Sequence, residues 1–281
     1  MNTDLIDSDL TWALFSEPLI VDACLTHLIT STASVDLPRS AEALRQRIDQ
    51  PLSTRVGVYF EQLIQYWLRW EARVEMIADR QQVVCEGRTI GELDFVFRDG
   101  TGALMHLETA VKFYLHFVED GVDQWLGPNA NDSFPKKVKR LFEHQLPLSK
   151  QVYDQPIERH ALVKGQIFYH PSQSPPQSLP ERLNSRHLQG AWVYSDQLPA
   201  LIDSTNSVAF RILAKPHWLS PGNRFARREE WLHVKAFQQR VRNHFATSHR
   251  PLMVSCGTFI ANEESRHRET KRAFIVSRQW P

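Results

Sequence analysis

A chain of 281 residues, 42% hydrophobic and 23% charged, has the composition of a soluble globular protein and the length for one large domain or two small ones. Its formal net charge of +1 supplies no global field toward nucleic acid or membrane, so any nucleic-acid site needs a local basic patch. No apolar run approaches the roughly 20 residues that span a bilayer, and the three cysteines, Cys24, Cys85 and Cys256, form no CxxC pair, which argues against a disulfide framework and a cysteine-rich zinc site.

The N-terminus, MNTDLIDSDLTW, is acidic and lacks the basic start and apolar core of a signal peptide; a cytoplasmic protein is expected. Apolar residues at Leu10, Leu14, Leu19, Cys24, Leu25 and Leu28 predict two short helices broken at Pro18. A loop over 31–38 and a short helix over 40–50 complete an N-terminal helical segment, 1–52. Ser53 is then the expected N-cap of a strong helix, STRVGVYFEQLIQYWLRW, with Phe60, Leu63, Ile64 and Trp67 as its stripe and Glu61 at the stripe's edge. ARVEMIADRQQVVCEG reads as a strand ending in a turn at Glu86 and Gly87.

Residues 91–113, GELDFVFRDGTGALMHLETAVKF, show two alternating runs about a Gly-containing connection, the pattern of a β-hairpin. Side chains alternate across a strand. Leu93, Phe95 and Phe97 share a face in the first run, opposite Glu92, Asp94 and Val96. In the second, Leu107, Thr109, Val111 and Phe113 stand opposite His106, Glu108, Ala110 and Lys112. Asp94 and Glu108 are thus expected side by side, with Lys112 on the face of Glu108. Two carboxylates and an ammonium among apolar neighbours are expensive to bury unless paired or metal-bound. The plain alternative is an exposed cross-strand charge cluster, worth about 0.2–1 kcal/mol per pair.

Residues 123–132 read as a loop. Asp132 or Ser133 is the expected cap of a helix with Pro135 in its first turn, running through KKVKRLFEHQL with Val138, Leu141 and Phe142 inward. Lys136, Lys137, Lys139 and Arg140 put four cations in its first half. The helix dipole does not favour them there, which points to an anionic partner, with a solvated face as the alternative. Residues 159–169 read as a further strand, and the four prolines and three serines of 171–180 as a surface loop. AWVYS, VAFRILA, a helix over 227–246, and the pair PLMVSC and RAFIVSRQW follow. The element order over 53–170, helix, three strands, helix, strand, is an α/β layout with a mixed sheet.

That order, with Asp94 on the second strand and Glu108 on the third, resembles the PD-(D/E)XK nuclease superfamily. The resemblance implies a restriction-endonuclease-like αβββαβ core over 53–170, with the N-terminal helices before it and a C-terminal α+β extension, 171–281, packed on it. It implies metal-dependent cleavage of phosphodiester bonds in DNA or RNA, with Asp94, Glu108 and the backbone carbonyl of Thr109 as ligands to Mg²⁺ or Mn²⁺. Lys112 would be the amine that stabilises developing charge, and Glu61 the helix carboxylate that holds a metal-bound water. Lys136, Lys137, Lys139 and Arg140 would contact the phosphate backbone. The usual spacing is Glu-x-Lys, whereas here Ala110 is two after Glu108 and Lys112 four after, one pleat repeat or about 6.6 Å further on. A degenerate module of the same fold, binding nucleic acid or a protein partner, is therefore the second expectation. GVYFEQLIQYWL, GELDF, HLETAVKFYL and DQWLGPN also look like an uncharacterised bacterial family of this length, a domain of unknown function.

Overall fold

The structure, a computed structural model, describes residues 3–21, 53–221, 230–260 and 263–281. Among the described residues ten strands form one mixed sheet, in the order 75–85, 88–98, 104–119, 158–169, 188–194, 263–276, 252–260, 209–213 and 232–233, with 122–126 added beside 104–119. The chain enters through α1 (Thr3–Phe15), which ends before Pro18 as its apolar spacing requires. The second half of the predicted N-terminal helix pair and the predicted helix over 40–50 lie outside the described residues.

Helix α2 (Val56–Tyr66) buries Val56, Tyr59, Phe60, Leu63 and Ile64. Its N-cap position is Arg55, in extended conformation and without a side-chain cap, so the expected cap at Ser53 is corrected: Ser53 Oγ instead accepts the Arg55 N–H at 3.0 Å, one residue outside the helix. A wide π-type turn, Trp67–Glu71, extends the helix and leads into β1 (Glu75–Cys85). β1 pairs antiparallel with β2 (Arg88–Arg98) along its whole length. Their turn is Glu86 and Gly87, both at positive φ, the backbone a tight two-residue hairpin demands.

β3 (Leu104–Glu119) follows, then β4 (Val122–Leu126). β4 corrects the expected loop over 123–132: its first four residues, with Val122 before them, turn back and pair with β3 from Leu115 to Glu119. Helix α3 (Phe134–Arg140) begins at Ser133 with Pro135 in its first turn and runs on through a π-type turn, Leu141–Gln145, and a 3₁₀ turn, Leu146–Gln151. β5 (Glu158–Tyr169) lies parallel to β3 on one side and to β6 (Leu188–Tyr194) on the other. α4 (Leu198–Thr205), β7 (Ala209–Leu213), β8 (Leu232–His233), α5 (Val234–Phe245), β9 (Leu252–Ile260) and β10 (Glu263–Val276) complete the chain. α5 starts at Val234 rather than near 227, because residues 232–233 pair with β7 first.

The faces of the sheet follow the parity of β3. Phe95, Phe97, Leu107, Val111 and Phe113 pack against α1 and α2 in the largest core cluster. On the opposite face Tyr114, Ala161, Val163 and Ile167 pack under Phe134 and Leu141 of α3. Further along that face Ala191, Val193, Val254 and Ala273 pack under α4 and α5. Leu93 departs from its alternation and clusters with Val83, Val96, Leu104 and Leu148. It lies where β2 has left β3, and the ribbon is free to twist. The sheet is continuous across residue 170, since β6 bonds both β5 and β10.

Candidate active site

β3 is paired on its outer side only at its ends. β2 pairs with it from Leu104 to Leu107, β4 from Leu115 to Glu119, and no described strand covers the stretch between. The result is a notch in the sheet. Asp94 leaves the ladder at its mouth, and Glu108 and Thr109 stand just inside. The Thr109 N–H, deprived of a strand partner, donates to Asp94 Oδ2 at 2.7 Å, and its hydroxyl donates to the same oxygen at 3.1 Å. N–H and C=O of one strand residue point to the same neighbour, so the Thr109 carbonyl also opens into the notch.

The expected convergence of Asp94 and Glu108 is present. The Asp94 N–H faces Glu108 Oε1 at 3.4 Å, and Glu108 is 1% exposed. Buried His106 donates from Nε2 to Glu108 Oε1 at 3.0 Å. Burial pushes the Asp94 carboxyl far above the usual carboxylate range, to about 7, with the charges of Glu108 and Glu61 pushing the same way. Glu61 is raised too, first by burial, with Arg80 opposing and Glu92 and Glu108 adding to it. Glu61 comes from the helix on one face of the sheet, and its charge and those of Asp94 and Glu108 act on one another there.

The amine is where the sequence did not place it. Lys112 does share the Glu108 face, but its ammonium is held by Asp132 Oδ2 at 2.8 Å, and Tyr114 donates to that same oxygen at 3.2 Å. The expectation that Lys112 reaches the carboxylates is corrected: one pleat repeat is enough to put it within the grasp of the loop after β4. Lys137 approaches instead. It donates to Gln145 Oε1 at 2.9 Å, and Gln145 donates from Nε2 to Glu108 Oε2 at 2.6 Å. Burial and the Lys112 charge lower the Lys137 pKa, while Glu108 and Asp94 draw it back up, an electrostatic link to both carboxylates. Of the four cations expected to act together, Lys137 is half-buried in the site, whereas Lys136, Lys139 and Arg140 are exposed; Lys139 has Glu143 at 3.9 Å.

Gln145 is the link between Lys137 and Glu108. Eight residues of ideal α-helix turn by about 800°, leaving Lys137 and Gln145 roughly 80° apart. The π-type turn ending at Gln145 rotates less per residue and returns its side chain toward Lys137. Helical periodicity carries no trace of that turn.

Among the described residues no three His, Cys, Asp or Glu side chains are arranged to hold a metal ion. The oxygen set in the notch is smaller: two carboxylates and the Thr109 carbonyl. Hard oxygens of this kind suit Mg²⁺ or Mn²⁺, which keep waters in their remaining positions. A cation bound there would oppose the burial and the Glu108 charge that raise Asp94.

The family description "Domain of unknown function (DUF1853)" matches residues 8–276. The chain belongs to the DUF1853 family. The match spans the helices, the notch and the C-terminal strands alike, and agrees with the family resemblance of the motif phrases. No curated protein and no solved structure matches this DUF1853 chain. No helix among its described residues is long and apolar enough to cross a membrane.

Proposed function

We propose that this DUF1853 chain is a metal-dependent nuclease of the PD-(D/E)XK kind, hydrolysing phosphodiester bonds of DNA or RNA in the cytoplasm. The observation that carries the reading is the notch itself: Asp94 and Glu108 on diverging strands, with an amine delivered to them through Gln145. Asp94, Glu108 and the Thr109 carbonyl would hold Mg²⁺ or Mn²⁺, which supplies a polarised phosphate and a bound water of lowered pKa. Lys137, with its lowered pKa, is a more acidic ammonium than a surface lysine. It is placed to neutralise the phosphorane-like charge that builds as water adds to phosphorus and the P–O ester bond breaks. Gln145 orients that ammonium relative to Glu108. Glu61 is available to accept a hydrogen bond from water in the notch. Exposed Lys136, Lys139 and Arg140, on the helix that brings Lys137, offer phosphate-backbone contacts.

One observation favours a second reading, a degenerate module that binds nucleic acid or a protein partner without cleaving. Both Glu108 oxygens already accept hydrogen bonds, from His106, Gln145 and the Asp94 N–H, so a cation must compete with them. The deciding experiment incubates wild type, Asp94→Ala and Glu108→Ala with single- and double-stranded DNA and RNA in Mg²⁺ or Mn²⁺. Cleavage by wild type that both variants lose supports the nuclease. Retention of labelled nucleic acid without cleavage supports the second reading, and equal cleavage by all three proteins rules out this site.

A further inference from the structure

The two apolar clusters on the α3 face part between β5 and β6. α3 covers one, and α4 and α5 cover the other. Parallel neighbours such as β5 and β6 are usually joined by a helix that lays an apolar stripe on the sheet. Here the crossover, residues 170–187, is proline-rich coil. Beneath it lies a cavity of about 520 Å³, within the range of small-molecule sites. Its lining includes His116, Tyr169 and Lys271 from the sheet and Pro175 and Pro176 from the crossover. His116 stands eight residues beyond Glu108 on β3, about 26 Å along the strand.

We infer that this cavity binds a mononucleotide-sized ligand that joins a planar, hydrogen-bond-donating ring to one anionic group. The polar groups specify it. His187 Nδ1–H donates to the Asn184 carbonyl at 2.6 Å, which leaves Nε2 to accept the Tyr169 hydroxyl proton at 2.8 Å. Burial raises the Tyr169 phenol to about 12 and lowers His187, so both are neutral near pH 7 and the direction of that bond is fixed. The phenol oxygen is then an acceptor for a ring N–H or amino group. Lys271 makes no ion pair among the described residues, and no Asp or Glu is among the residues that line the cavity. Lys271 is the fixed charge of the lining, so an anionic group of the occupant belongs beside it. His170 is satisfied on both nitrogens, by Gln197 and the Ser172 N–H, and with the prolines contributes flat apolar wall. A ring that stacks, donates and carries an anion answers all of these; the inference stands apart from the nuclease reading.

The test titrates the full chain with adenosine monophosphate, cytidine monophosphate, adenosine and inorganic phosphate, read by calorimetry and by thermal shift. Saturable binding of at least one mononucleotide is expected below about 1 mM, with adenosine roughly tenfold weaker and phosphate without effect. Lys271→Gln should remove the advantage of the mononucleotide over adenosine. Tyr169→Phe should weaken the mononucleotide about fivefold to tenfold. Asp94→Ala should bind it as wild type does, whatever happens to cleavage. The inference is overturned by no saturable binding up to about 5 mM, by phosphate binding as well as the nucleotide, by binding indifferent to both cavity variants, or by binding lost in Asp94→Ala.

Discussion

Lys112 and Lys137 lie close enough for one charge to act on the other, and their partners tell them apart. Lys112 is neutralised by Asp132; Lys137 reaches Glu108 through a single amide. If the notch cleaves phosphodiesters, Lys137→Met should lower the rate by about 10²-fold or more, the scale of losing one preorganised charge-stabilising group. Lys112→Met should cost less than about tenfold while lowering the melting temperature through the unpaired Asp132. Rates and melting curves on both variants check this, and a larger rate loss at Lys112 would return the amine to its sequence-expected position. Asp94 gives a second outcome at this scale, independent of substrate. Its folded carboxyl sits near 7 against an ordinary value of 3.8, so the native state holds its proton more tightly than the unfolded chain. That contribution to stability is full below the ordinary value and is lost as pH rises through about 7, at roughly 2–4 kcal/mol by pH 8. Asp94→Asn cannot ionise. In chelator-treated protein it should be more stable than wild type at pH 8 and close to it at pH 4, measured by urea unfolding; no gain at pH 8 would mean that Asp94 is not held in this way.

The elements show why some of the site is legible in sequence and some is not. Strand alternation places Asp94, Glu108 and Lys112 on one face because parity survives any smooth twist, and His106, Glu108 and Ala110 fall where counting puts them. Parity does not say where a strand loses its partner. The notch arises because β2 pairs with β3 no further than Leu107 and β4 pairs with it only from Leu115 onward. β4 buries just Trp125 among its five residues, too little apolar pattern to distinguish it from a loop. The π-type turn before Gln145 is silent for the same reason: one wide turn leaves the apolar spacing of α3 intact. Gly165 is the converse, a residue whose need appears only in the assembled sheet. It sits in β5 opposite Lys112 at φ +147, and a Cβ there would fall 1.7 Å from the Lys112 carbonyl oxygen. The clash is with backbone of the strand that bears the site, so no rotamer relieves it. Gly165→Ala should cost about 3 kcal/mol or more or prevent folding. Gly121→Ala, at φ +77 with open space around it, should cost about 1 kcal/mol. Circular dichroism and thermal melts compare them; equal effects would mean that β3 and β5 do not approach this closely.

Across the whole molecule one buried polar network ties the distant ends of the chain together. Asp9 of α1 accepts from the Ser220 N–H at 2.9 Å, from its hydroxyl at 2.6 Å, and from the Tyr59 hydroxyl of α2 at 3.0 Å. Arg272 of β10 donates to the carbonyls of Trp218, Leu219 and Ser220 and pairs with Glu269 at 2.8 Å. The segment before 221 is thus held from both sides: by an acid from the first helix and a base from the last strand. The helix so anchored carries Glu61 two residues after Tyr59, so the network also fixes one wall of the notch. Burial raises the Asp9 carboxyl, while Ser220 and Tyr59 lower it, so the acid tolerates its place through the donors that surround it. Removing it leaves three buried donors unmatched and strips Arg272 of a nearby counter-charge. Asp9→Ala should therefore cost about 3–5 kcal/mol, the range for breaking a buried charged network. Tyr59→Phe removes one donor from an acid that keeps two others, and should cost about 1 kcal/mol. Denaturant unfolding of the two variants tests the network as a unit. Equal losses would make Asp9 no more than Tyr59's partner, and α1 would no longer be the element that locks the C-terminal strands to the face bearing Glu61.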